Sequence, residues 1–143
     1  MREKERWLNR QFIVGPYLAI CFTEGEFRRI LKKLDVPKDD WVSWINPGAD
    51  ATTHTLMNKD KRRAAVMCID TSCNPDPVAV AGLMVHEAVH VWQRHMQAIG
   101  EDEPSLEFEA YSIQAISQAF MWEYVDYLKE KENAKKTNRK RKK

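Results

Sequence analysis

Long apolar runs are missing from this chain of 143 residues. The longest, Val78 to Val85, is interrupted by Gly82 and falls well short of the roughly 20 residues needed to cross a bilayer, so no membrane span is expected. The start, Met-Arg-Glu-Lys-Glu-Arg-Trp, is followed by neither an apolar core nor a small-residue cleavage site. No secretory signal is therefore expected, and a cytoplasmic protein is the natural reading. Cysteine is scarce and odd in number: Cys21, Cys68 and Cys73 form no staple framework, and one Cys-x4-Cys spacing falls short of a metal motif. Free, partly buried thiols are the expectation for all three. With only 5 Gly and 6 Pro, low-complexity and fibrous classes are excluded. What remains, 43% hydrophobic and 31% charged residues, suits one globular domain of this length.

The small net charge of +2 conceals a division along the chain. Residues 129–143 carry nine Lys or Arg against two Glu, which leaves 14 basic and 19 acidic side chains before them. The body is acidic and the tail basic. From Glu132 onward the segment has almost no apolar content with which to offset the entropy of ordering, so residues 131–143 are expected to be a disordered basic tail after a single domain over 1–130. A tail of that charge makes weak nucleic-acid contact through phosphates a candidate interaction.

Periodicity divides the domain into an N-terminal helix and strand region (1–50), a hairpin (51–70) and a helical part (76–130). Arg2 to Phe12 reads as a short helix, and Tyr17 to Phe22 as a strand-length apolar run after Gly15-Pro16. Thr23 with Glu26 is a capping-box pattern opening a helix over about 24–34, which Pro37 closes. Trp41 to Trp44 reads as a packed loop. Ala51–Met57 and Ala64–Ile69 flank a polar turn and predict a β-hairpin. The expected class is α+β, a small sheet packed on two long helices.

The first of those helices carries the chemistry. Asp76-Pro77 supplies an N-cap and a first-turn proline, and the helix is predicted to run to Gly100. Ala81, Val85, Ala88, Trp92 and Ile99 fall on one side; His86 and His90 fall on the other. His86-Glu87-Ala88-Val89-His90 is an H-E-x-x-H sequence, expected by chance in roughly one in a hundred chains of this composition. Four residues rise about 6 Å with about 40° of rotation, so both imidazoles can reach one ion. Glu87, about 60° from His90, is placed to take a proton from water rather than to ligate.

A second long helix is predicted from Ser105, after Glu101-Asp102-Glu103-Pro104, with Leu106, Ala110, Ile113, Phe120 and Tyr124 as its apolar stripe. Glu107 shares a polar stripe with Tyr111, Gln114 and Gln118 that would face back toward the histidines, which makes it the favoured third ligand. Glu109 projects about 200° away and is the competing candidate, with Glu103 a further one. His95 reads as an ordinary solvated or partly buried imidazole. His54, on the first hairpin strand, is either a cross-strand surface residue or a cleft residue that stabilises an oxyanion. Trp92 and Trp122 read as packing.

On His86, Glu87, His90 and the Glu107-Phe108-Glu109-Ala110-Tyr111 segment, the chain resembles zincin metallopeptidases of the Glu-ligand type. In these, a glutamate on the next helix completes the H-E-x-x-H site. The string from His86 to Gln93, with Ile99-Gly100-Glu101 and then Glu107 to Tyr111, also resembles small H-E-x-x-H proteins of tailed phages and prophages. The zincin resemblance covers about residues 74–125. It implies a minimal zincin-like fold, Zn2+ held by His86, His90 and Glu107, Glu87 as general base, and a protein or peptide substrate. Tyr111 stands where the family often has Asp, so a phenol would replace the usual carboxylate in orienting a histidine or stabilising an oxyanion. The alternative function is a nucleic-acid-associated or protein-interaction module with a structural zinc.

Overall fold

The computed structural model describes residues 5–8, 15–72 and 76–141. Four strands, β1 (Arg6–Leu8), β2 (Tyr17–Cys21), β3 (Ala51–Met57) and β4 (Arg63–Ile69), form one sheet in the order β1-β2-β4-β3. β4 is almost wholly apolar because it is central and covered on both faces; Ala64 to Ile69 are each at most 3% exposed. β3 pairs antiparallel with it, Ala51 opposite Ile69 and Met57 opposite Arg63, as the hairpin pattern predicts. Asn58 Oδ1 closes the turn by accepting from the backbone N–H groups of Asp60 and Arg62. β2 runs parallel to β4, which requires a crossover; α1 (Glu24–Lys33) and β3 supply it.

Strand alternation sends side chains to two separate layers. Leu18, Ile20, Phe22, Ala65, Met67 and Ile69 meet α2 (Pro77–Ile99) and α3 (Leu106–Arg141). Ala19, Cys21, Val66 and Cys68 meet Phe27, Ile30 and Leu31 of α1 on the other face. The architecture is α+β.

The expected helix over Arg2–Phe12 is corrected where it is described: Arg6 to Leu8 form a strand, in register with Ile20, Ala19 and Leu18. The rest of that segment lies outside the described residues, as does Cys73. Tertiary pairing overrides the local helical pattern because Arg6, 2% exposed, has a destination in the core. It pairs with Glu26 of α1 and donates to Glu130 of α3 at 2.8 Å, with the Phe22 and Tyr127 rings 5.0 Å from its guanidinium carbon. Thr23 caps α1 by accepting from Glu26 N at 3.2 Å, whereas the Glu26 carboxylate takes Phe22 N and Arg6.

α2 opens on Asp76, which accepts from Val78 N, and closes on Gly100 at φ 74, a left-handed C-cap that glycine adopts without strain. α3 returns antiparallel, and the Trp92 and Phe108 rings meet edge to face at 5.0 Å. It runs 36 residues, so the segment expected to be disordered is helical through Arg141. Lys, Arg, Glu and Ala are good helix formers, and the Glu132–Lys136 pair at 2.6 Å has the favourable order four residues apart. Among the described residues no helix is long and apolar enough to cross a membrane.

Candidate metal centre

The site is built on one helix whose sides have different neighbours. Val80, Met84, Ala88, Val91, Trp92 and Met96 are buried against the sheet and α3. Val85 and Ile99, expected on that side, are 40% and 52% exposed. His86 is exposed and His90 half-buried on the opposite side, and their Nε2 atoms approach to 3.1 Å with the rings nearly perpendicular. A tetrahedral ion bound at about 2.0–2.1 Å holds two ligand nitrogens about 3.3 Å apart. The observed spacing is within a few tenths of an ångström of that, and two imidazoles are donors that zinc accepts. For these two corners the residues fit the ion.

Glu87 leaves α2 between the two histidines in sequence but turns inward, and is 5% exposed. Arg94, one turn past His90 and about 40° round the helix, is a neighbour that the motif does not announce. It donates to the Thr53 carbonyl and to Thr55 Oγ1, tying α2 to the edge strand β3. The sequence signal for it was its spacing of four from His90. The Thr53 carbonyl on this edge strand thereby already accepts one hydrogen bond.

The structure does not bring the second-helix glutamates to the pair. α3 packs on the Ala88, Trp92 and Met96 side of α2, roughly 150° round the helix from the histidines. Phe108, next to Glu107, meets Trp92 on that packed side rather than the histidine side. Glu107 and Tyr111 lie on the outer face of α3, Tyr111 being 66% exposed. Glu109, half-buried, shares the inward stripe with Ile113, Ile116 and Phe120, so the polar stripe that looked like the site-facing one is the solvent face. Glu103 is exposed in the connection. Among the described residues no group of three His, Cys, Asp or Glu side chains is arranged to hold a metal ion.

His54 occupies the far face of the sheet. Alternation along β3 turns Thr53 and Thr55 toward Arg94 and His54 toward α1, where it stacks on Phe27 at 4.8 Å and its Nε2 bonds the Trp44 carbonyl at 2.9 Å. An oxyanion role in a cleft beside α2 does not follow from that position. His95 is 6% exposed, more enclosed than its reading as an ordinary imidazole implied, and neither ring nitrogen has a hydrogen-bond partner. Trp92 is core, whereas Trp122 is 69% exposed. An open cleft of about 370 Å³ near Glu24, Trp44, Asp50 and Asp70 contains none of the predicted site residues.

Comparison with known protein families, with curated proteins and with solved structures gives no match to this chain.

Proposed function

We propose that the protein is a zinc-dependent hydrolase, in the first instance a metallopeptidase of zincin type, with His86 and His90 as ligands and Glu87 as general base. The supporting observation is the meeting of two imidazole Nε2 atoms at 3.1 Å on one face of α2. Bound there, zinc supplies a Lewis acid. With the ion held there, Glu87 would serve as the base that accepts a proton from water and passes it to the leaving amine. Glu87 is 5% exposed, so its carboxylate is largely screened from bulk water. The reading rests on two protein ligands, because the arrangement of α3 leaves Glu107 and Glu109 elsewhere. A cytoplasmic setting accords with it: Cys21 and Cys68 are register partners on neighbouring strands, and both are free thiols.

The test is zinc titration of the full chain against a chromophoric chelator, with hydrolysis of labelled casein as the activity. One equivalent of zinc is expected for the wild type and for Glu87→Gln, with His86→Ala and His90→Ala at least tenfold weaker. Glu87→Gln should lose hydrolysis. No uptake by the wild type, or undiminished turnover in Glu87→Gln, overturns the reading.

A further inference from the structure

The basic residues that end this chain are carried on an ordered helix, which gives them a face. Beyond Tyr127, the last buried residue of α3 among those whose burial is described, the helix continues for about 20 Å to Arg141, and Lys135 to Arg139 are all exposed. At 100° per residue, Lys129, Lys135, Lys136 and Arg139 fall within about 120° of the circumference. Glu132 is the acid on that arc and is paired with Lys136. Glu130 is turned away to Arg6. In sequence Lys140, Arg141, Lys142 and Lys143 follow, giving residues 129–143 nine basic and two acidic side chains.

We propose that this extension of α3 is an arm that binds duplex DNA through its phosphates, independently of the metal site. Three features select that partner. An arm for a bilayer surface needs an apolar face opposite its cations; here that side carries Glu130, Lys131, Asn133, Ala134, Thr137 and Asn138. A helix seated in the major groove of B-form DNA, about 12 Å wide, has the phosphates of both strands along its sides, whereas the deep, narrow major groove of duplex RNA does not admit it. The rest of the chain, with 14 basic and 19 acidic side chains, is repelled by phosphate and confines contact to the arm. The asparagines lie off the basic face, so binding is by charge with little sequence preference.

Fluorescence anisotropy with a labelled 20-base-pair DNA duplex and the full chain tests this. Four or five phosphate contacts predict a fall in affinity of roughly 150- to 500-fold between 50 and 200 mM salt. The double variant Lys135→Glu/Arg139→Glu, with its fold checked by circular dichroism, is expected to bind at least tenfold more weakly at 50 mM salt while keeping its zinc uptake. The proposal is overturned by absence of binding at 50 mM salt or by a double variant that binds like the wild type. Tighter binding to duplex RNA or to phosphatidylserine vesicles than to DNA also overturns it.

Discussion

His95 illustrates how a single side chain can cost stability without any visible distortion. Its imidazole is 6% exposed between α2 and the sheet, and both ring nitrogens are buried without a partner. Burial and the positive charge of Arg63 push its pKa below the ordinary value of 6.5. Burial likewise lowers His54, against the raising effect of its bond to the Trp44 carbonyl. A histidine whose folded pKa is depressed leaves stability intact above its unfolded pKa and loses it as pH falls, because the unfolded chain binds the proton first. Stability in urea should therefore be flat above about pH 7 and decline as pH drops below about 6.5. His95→Leu removes two unpaired polar atoms from the core and should raise stability by about 1–2 kcal/mol at pH 7, with a shallower decline in acid. A destabilised His95→Leu would show that an unseen partner satisfies the ring. In sequence this residue looked ordinary, because its place five positions after His90 says where it does not point and nothing of what covers it.

At the scale of elements, what the sequence made legible follows from local chemistry. The Asp76 and Gly100 caps bound α2, the Asn58 turn sets the β3–β4 hairpin, and the H-E-x-x-H spacing brings two imidazoles together. What it did not make legible depends on which face of α3 meets α2. The stripe of Glu107, Tyr111, Gln114 and Gln118 and the stripe of Glu109, Ile113, Ile116 and Phe120 both have helical spacing; the apolar one is buried, and it carries Glu109 inward with it. The strand at Arg6–Leu8 was hidden for a related reason, since its partner β2 and its ion-pair partners Glu26 and Glu130 are distant in sequence. Arg6 joins β1, α1 and α3 at one buried point. Replacing it with Ala strands buried carboxylate charge, and such losses cost about 3–5 kcal/mol. Urea denaturation of Arg6→Ala should show a loss of that size. A change below about 1 kcal/mol would mean that solvent already screens the cluster.

For the whole molecule, the decisive distinction is between an ion that holds the fold together and one that the fold presents. Two cores lie on opposite faces of the sheet, and neither includes His86 or His90. The helix that carries both histidines is buried along Val80, Met84, Ala88, Val91 and Trp92 with no ion bound. A zinc fingered by the two histidines then stabilises only by mass action, about 2.7 kcal/mol at a free concentration 100 times its dissociation constant. For a chain of this size that corresponds to a rise in Tm of roughly 5–15 °C. Thermal melts should therefore show a cooperative transition in excess EDTA and a higher Tm in excess zinc. The shift should persist in Glu87→Gln, vanish in His90→Ala, and remain in Glu107→Ala, because that glutamate is on the outer face of α3. If EDTA abolishes the transition, the ion is structural and the interaction-module reading gains over the hydrolase. If Glu107→Ala loses the zinc shift while keeping its EDTA melt, α3 must turn its first residues toward the histidines when the ion binds, and the third ligand would then be the one the resemblance implies.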